Sequence, residues 1–234
     1  KMVVPCHLDR DSFEELVLRE YLLYRVYGLV TDLSYQVRLA RITFRDGAGR
    51  DDPVTRWAFF IEDASALAAR VGGQVVDLPA GQVLRPEALH PDEAVTMALF
   101  QYLIGNSDAH GKNVSFFCQA AGLELAPFYD LVSVIQYPEI DHELAMAFGD
   151  VFEVDRILPF DWALFAHNCG IDRAYLAREM TRLAKSVKRE AQLESGSHDY
   201  VGDEREFVRM LQVYIEVQAD KLAGMAKAIP GIAV

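Results

Sequence analysis

A short polar stretch near the middle of the chain carries residue types that could transfer a phosphoryl group. It reads GNSDAHGKN over residues 105–113 and places Asp108 and Asn113 in D-x-x-x-x-N spacing. Two runs of strand formers follow, and Asp130 comes after the second. Because the strands of an antiparallel hairpin begin and end side by side, Asn113 and Asp130 are predicted to lie close together. Such oxygen donors suit Mg²⁺, and Asp108 would be near enough to accept a proton from an attacking hydroxyl.

The spacing leaves two other interpretations open. Asp and Asn side chains often bond to their own turn, so Asp108 and Asn113 could be ordinary loop residues. The group of Asn106, Asp108 and His110 is also faintly similar to dinuclear metal motifs, which indicates a metal-dependent phosphohydrolase as a third possibility. Such a site needs further His and Asp ligands in separate blocks, and the chain has six histidines.

The surrounding pattern predicts a small lobe of helix and hairpin, followed by mostly helical chain. Ser12 and Glu15 form a capping box that starts the first helix, whose apolar residues cover most of its circumference. A shift in apolar parity between Leu39 and Ala40 predicts a β-bulge. The predicted elements are strands over residues 35–44, 56–61, 114–118 and 123–128, helices over 12–29, 64–71 and 91–104, further helices within 159–227, and a loop over 194–203.

Composition narrows the class of function. The chain has 23 Lys and Arg against 35 Asp and Glu, a formal net charge of −12, which argues against general affinity for nucleic acid or anionic membranes. No apolar run is long enough to span a bilayer, and no signal peptide is evident. Three scattered cysteines indicate a reducing cytoplasm. Because the chain begins with Lys rather than Met, we expect a segment upstream.

Two blocks of sequence, residues 103–113 (LIGNSDAHGKN) and 125–133 (LAPFYDLVS), resemble the C-terminal kinase core of the HipA family. These are bacterial serine/threonine kinases that are often toxins of toxin–antitoxin pairs. Residues 142–149 (HELAMAFG) are similar to the segment that follows the metal-binding aspartate of that family. The resemblance implies an α+β, protein-kinase-like fold. Residues 1–63 would be a partial N-terminal lobe with the hinge, and residues 64–234 the larger, mainly helical lobe.

The resemblance also implies roles for individual residues. By match of motif, Asp108 would be the catalytic base, and Asn113 and Asp130 would be the Mg²⁺ ligands. His110 and Lys112 would lie near the phosphates of ATP.

The first third of the chain carries a looser resemblance, to HipA-like and spore-coat CotH-like kinases, through residues 19–25 (REYLLYR) and 59–63 (FFIED). It implies that Glu20 orients the lysine that binds ATP phosphates, for which Lys1 is the one candidate before the helix. Three residues would form the hinge strand that contacts adenine: Phe60, Ile61 and Glu62. Alternatively, Glu20 is an ordinary helical carboxylate and Lys1 a solvated chain end.

The favoured function is therefore an ATP- and Mg²⁺-dependent transfer of phosphate to a Ser or Thr hydroxyl of a protein substrate. An antitoxin-like partner is expected, without direct binding of nucleic acid or membrane. The alternative is a catalytically weak, nucleotide-binding pseudokinase or interaction module, because no glycine-rich phosphate loop such as G-x-G-x-x-G occurs in the chain.

Overall fold

The computed structural model describes residues 1–10, 12–73, 75, 91–119, 122–137 and 139–234. The strands in these ranges are β1 (Met2–Val3), β2 (Val37–Phe44), β3 (Val54–Ile61), β4 (Phe116–Gln119), β5 (Gly122–Leu125), β6 (Glu143–Phe148) and β7 (Val151–Glu153). The α-helices are α1 (Ser12–Val30), α2 (Ala64–Arg70), α3 (Pro91–Ile104), α4 (Pro159–Asn168), α5 (Arg173–Ser195) and α6 (Glu204–Ala226). The α+β class predicted from the sequence is confirmed, with small antiparallel sheets and a helical second half.

The first sheet has the order β1-β3-β2. Strands β2 and β3 pair along all eight residues of each strand with no shift in register, so the predicted β-bulge is wrong. The apolar parity changes because both faces of this ribbon carry apolar side chains. Leu39 packs on the core beside its cross-strand partner Phe59, whereas Ile42 points to the opposite face.

Helix α1 connects this sheet to the helical part of the molecule. It packs against β2 and β3 and also against α5 and α6. Because it has neighbours on several sides, its apolar residues are buried around most of its circumference, as the sequence predicts. The buried set is Val17, Leu18, Tyr21, Leu22, Leu23, Tyr24, Val26 and Tyr27.

Helices α5 and α6 run antiparallel and pack closely, as the side-chain bonds from Lys188 to Asp220 and from Gln192 to Glu216 show. The predicted loop over residues 194–203 begins too early, because α5 continues to Ser195. Arg25 of α1 donates two hydrogen bonds to the buried carboxylate of Glu194, at 3.0 and 3.2 Å, which hold this last turn of α5 against α1. None of the helices in the described ranges has the length and apolarity needed to cross a membrane.

Strands β4 and β5 are shorter than predicted, although pairing continues beyond them where Ala126 N donates to Ser115 O at 2.8 Å. Pro127 has no N–H to donate, which ends the ladder there. Part of the predicted turn, residues 120–121, lies outside the described residues. The hairpin thus delivers the chain from the polar loop after α3 to the segment around residue 130.

Candidate active site

Helix α3 ends in a sharp turn that begins the polar loop. Gly105 follows the helix with a φ of 67°, in the left-handed region that glycine adopts without steric cost. A Cβ at this position would lie 2.5 Å from Tyr214 Oη and 2.6 Å from Ile135 Cγ2. Two residues further along, Ser107 O accepts from Ala145 N at 2.8 Å, which ties the loop to β6. These contacts fix the direction in which the loop leaves the helix.

The base of the β4–β5 hairpin brings Asn113 and Asp130 together. Asn113 Nδ2 donates to Asp130 Oδ2 at 2.9 Å and lies 3.4 Å from the backbone oxygen of Asp108. The hydrogen bond therefore joins the two residues that flank the hairpin, and the same amide reaches the loop that precedes it. We call the group of Asp108, Asn113 and Asp130 the hairpin-base cluster.

The Asp108 carboxylate stands at the solvent-facing side of this cluster. Its side chain is 69% exposed, and His110 Nε2 lies 4.0 Å from its Oδ1. Asp108 and Asp130 line the same open cavity, of about 490 Å³, whose walls also include the apolar side chains of Val132 and Val134. A cavity of this size can admit part of a substrate between the two carboxylates.

Asp130 has a backbone conformation that is rare for a residue with a side chain. Its φ of 59° is the one positive value at a non-glycine position among the described residues. The Asp130 N–H donates to Tyr24 Oη at 3.1 Å, and its carbonyl accepts from Asn106 Nδ2 at 2.9 Å. Burial raises the pKa of Tyr24, so that its hydroxyl stays protonated. Backbone strain held by surrounding contacts is found mostly at functional sites.

Sequence reasoning misses Tyr24 and Asn106 as parts of this site. It assigns Tyr24 to the buried circumference of α1 and Asn106 to the end of α3 and the dinuclear-metal alternative. The signal that could have found them is a polar group at a buried position, because buried polar groups need hydrogen-bond partners. Their common partner, Asp130, is distant from Tyr24 in sequence and becomes visible only in the fold.

Glu20 faces the hairpin-base cluster from α1. Burial and, to a smaller extent, the Asp130 carboxylate raise the pKa of Glu20 to about 7, while the positive charge of Lys1 lowers it. Lys1 is exposed, and its backbone pairs with Ile61, whose N–H donates to Lys1 O at 3.0 Å. The structure thus brings the charges of Lys1, Glu20 and Asp130 within electrostatic reach of one another.

The predicted hinge residues lie where β3 ends. Phe60 is 47% exposed, and the Glu62 N–H donates to Gln36 O at 2.9 Å. The Glu62 carboxylate accepts hydrogen bonds from Arg70 Nε at 3.1 Å and Nη2 at 2.9 Å, and these bonds lower the pKa of Glu62. The backbone N–H groups of Ile61 and Glu62 are therefore engaged within the protein.

His110 and Lys112 are placed by a 3-10 turn, Gly111–Asn113, at the end of the loop. His110 lines a second, mainly apolar cavity of about 520 Å³, which Asn106 and Asn113 also line. Its Nδ1 is buried without a hydrogen-bond partner among the described residues. The position of His110 and Lys112 near phosphates stays a prediction.

The donor set at the hairpin base fits Mg²⁺. The hydrogen bond between Asn113 and Asp130 uses the amide nitrogen and one carboxylate oxygen, which leaves the amide oxygen and the other carboxylate oxygen outside it. Magnesium prefers a few such hard oxygens and keeps water or phosphate oxygens at its other positions. In the described part of the chain, no group of three or more His, Cys, Asp or Glu side chains could hold a metal ion.

Residues 80–191 match the family model described as the HipA-like C-terminal domain. This part of the protein is similar to HipA-like C-terminal domains. The matched range contains the polar loop, the hairpin and Asp130. The resemblance to the HipA family is therefore confirmed, whereas the looser CotH-like resemblance stays a prediction.

Two curated relatives of the chain are named as kinases. The serine/threonine-protein kinase toxin HipA of Shewanella oneidensis is 44% identical over 90 residues, which are 38% of this chain and 21% of that protein. The putative kinase Y4mE of Sinorhizobium fredii is 32% identical over 134 residues, which are 56% of this chain and 30% of that protein. The chain thus matches less than a third of the length of either relative.

A solved structure shows the same fold over nearly the whole chain. It is a chain in the complex of the Shewanella oneidensis toxin–antitoxin proteins HipA and HipB with operator DNA. The TM-score is 0.71 at 22% sequence identity, and the match covers 94% of this chain and 58% of that chain. The protein-kinase-like fold predicted from the sequence is confirmed by this match.

Proposed function

We propose that this HipA-like protein transfers the γ-phosphoryl group of ATP to a Ser or Thr hydroxyl of a protein substrate. The observation that carries the proposal is the hairpin-base cluster. In it, Asn113 contacts Asp130, and Asp108 and Asp130 line the same cavity. A base, a metal-binding amide and a metal-binding carboxylate are the parts that a kinase site needs. The kinase names of two relatives support the same reaction class.

In this proposal Asp108 accepts the proton of the acceptor hydroxyl as its oxygen attacks the γ-phosphorus. One O–P bond forms, the bond from the γ-phosphorus to the β–γ bridging oxygen breaks, and ADP leaves. The exposure of Asp108 supports this role because a protein substrate must reach it from solvent. Positioned proton transfer of this kind contributes roughly 10²- to 10⁴-fold to a rate.

The remaining site residues bind and orient. Asn113 and Asp130 would hold Mg²⁺, which when bound supplies positive charge against the phosphates. Lys1 would contact phosphate oxygens, and Glu20 would orient Lys1, consistent with the influence of the Lys1 charge on Glu20. Further nucleotide contacts are proposed for His110, Lys112, Phe60, Ile61 and Glu62.

The wider setting is also a proposal. We propose an N-terminal lobe and hinge over residues 1–63, a C-terminal lobe over residues 64–234 and a cytoplasmic location. An antitoxin-like protein is proposed as a partner, supported by the HipB protein in the complex with the similar fold. The net charge of −12 supports contact with protein rather than directly with nucleic acid.

The test is Mg²⁺-dependent transfer of labelled γ-phosphate to protein, with Asp108→Asn compared against Asp150→Asn. Asp150 is an exposed aspartate in the turn after β6 and lines neither of the two cavities described above, so it controls for loss of a surface charge. We expect Asp108→Asn to lose about 10³-fold in rate and Asp150→Asn to match the parent protein. Full activity in Asp108→Asn would refute the role of the base. If ATP raises the melting temperature of the parent protein without turnover, the protein is a pseudokinase instead.

A further inference from the structure

Two buried side chains form hydrogen bonds to the backbone of Asp130, one to its N–H and one to its carbonyl. Tyr24 Oη accepts from its N–H at 3.1 Å, and Asn106 Nδ2 donates to its carbonyl at 2.9 Å. Tyr24 is 3% exposed and Asn106 2% exposed, although Asp130 itself lies at the surface. Two polar side chains from the protein interior thus form hydrogen bonds to one surface residue.

The two side chains come from different elements, which makes their meeting at one peptide specific. Tyr24 lies on α1, and Asn106 follows α3. Asn106 Nδ2 also donates to Gln101 Oε1 at 2.9 Å, so its orientation is set from within α3. Residues of both helices belong to one hydrophobic core. The position of Asp130 is therefore fixed by side chains of that core rather than by its own loop.

These two hydrogen bonds stabilise an otherwise unfavourable backbone conformation. With a φ of 59°, Asp130 occupies the left-handed region, which costs energy for any residue that has a Cβ. Without both hydrogen bonds, the peptide could relax to a common conformation, and the carboxylate would turn away from Asn113. The hydrogen bond of 2.9 Å between Asn113 and Asp130 depends on this direction of the side chain.

We propose that Tyr24 and Asn106 are positioning residues that hold Asp130 in its ion-binding conformation. The proposal deepens the proposed function and rests on it. Neither residue contacts the reacting atoms. They act through the backbone of Asp130, so their effect should fall on the affinity for a divalent ion more than on the stability of the fold.

The experiment compares Tyr24→Phe with Tyr200→Phe in the full chain. Both remove one hydroxyl from a buried tyrosine of the same core, but Tyr200 Oη has no hydrogen-bond partner within the described part of the chain. The affinity for Mn²⁺ in the presence of ATP is measured by electron paramagnetic resonance. Amide hydrogen exchange of Asp130 and the melting temperature are measured on the same samples.

We expect Tyr24→Phe to weaken Mn²⁺ binding by about 3- to 10-fold, the range that one hydrogen bond supplies, and to speed exchange of the Asp130 amide by a similar factor. Tyr200→Phe should change neither. Asn106→Asp, which removes both donated bonds and adds a charge, should weaken Mn²⁺ binding further. If it does not fold, Tyr24→Phe alone decides the question, because it preserves shape.

A role in stability alone predicts a different result. Tyr24→Phe would then lower the melting temperature while its folded fraction binds Mn²⁺ as the parent protein does, and the proposal would be overturned. If the parent protein binds no Mn²⁺ with ATP, the proposed function fails instead. The positioning of Asp130 is then tested by amide exchange alone. Equal exchange rates of the Asp130 amide in Tyr24→Phe and Tyr200→Phe would overturn the proposal.

Discussion

The hairpin base and the hinge end of β3 are both rich in polar side chains, but they use them differently. At the hinge, Arg70 donates two hydrogen bonds to the Glu62 carboxylate, and Arg70 Nη2 also donates to Ser34 O at 2.6 Å. At the hairpin base, Asn113 and Asp130 share one hydrogen bond and keep oxygens outside it, on a backbone with a positive φ.

We propose that the ion pair at the hinge stabilises the fold, whereas the hairpin base keeps oxygens that a ligand can use. Glu62 has its pKa lowered by the bonds from Arg70, so its charged form is favoured by the fold. Glu20, beside the hairpin base, has its pKa raised to about 7 by burial and by Asp130, so its charged form is disfavoured. Groups held in unfavourable states are typical of functional sites.

The largest effect is expected for Asp130→Asn, which tests whether the hairpin base differs from the hinge. Asparagine has the same shape and tolerates a positive φ, so the stability of the fold should change by less than about 1 kcal/mol. Loss of the carboxylate charge should reduce Mg²⁺-dependent phosphate transfer by about 10³-fold. Transfer assays and urea unfolding measure the two effects separately. A large loss of stability would place Asp130 with the hinge network instead.

A second test uses the pH dependence of Glu20→Gln. Because the pKa of Glu20 is raised in the folded protein from its ordinary 4.5 to about 7, the folded state binds more protons in that interval, and stability falls as the pH rises through it. The Gln variant lacks this loss. We expect equal stability near pH 4.5 and a variant more stable by about 1 to 3 kcal/mol at pH 8.

Urea unfolding at pH 4.5, 6 and 8 checks this expectation, with Glu206→Gln as a control at an exposed position of α6. The control should show the same difference from the parent protein at every pH. A Glu20→Gln variant that is less stable than the parent at pH 8 would show that the carboxylate is favourably paired, as Glu62 is.

The smallest effect is expected at the hinge. Arg70→Leu removes the hydrogen bonds that Arg70 donates to the Glu62 carboxylate and the Ser34 carbonyl, and leaves Glu62 with the bond from the Gln36 N–H. The loss should cost about 1 to 2 kcal/mol in the free energy of unfolding. Arg182→Leu removes an exposed bond to Glu179 on α5 and should cost less than about 0.5 kcal/mol. Denaturant midpoints of the two variants give the comparison. Equal midpoints would mean that the Glu62–Arg70 pair is as weak as a surface pair.

Much of the local structure follows from local rules that the sequence displays. The N-cap of α5 is a clear case: Asp172 Oδ1 accepts from Tyr175 N at 2.7 Å, a bond that aspartate commonly forms at the start of a helix. The closing Gly105 of α3 and the hairpin that follows are equally local. The β-bulge predicted near Leu39 was wrong, because apolar parity cannot distinguish a bulge from a regular ribbon that carries apolar residues on both faces.

The sequence by itself determined the bounds of α3, the hairpin and the residues that flank it, because hydrogen bonding between near neighbours decides all of these. It also determined that Asn113 and Asp130 would meet, since a hairpin joins its own ends. Only the tertiary structure decided that Tyr24, 106 residues away from Asp130, accepts its N–H. Such a contact depends on how α1 packs in the core, which no spacing along the chain encodes.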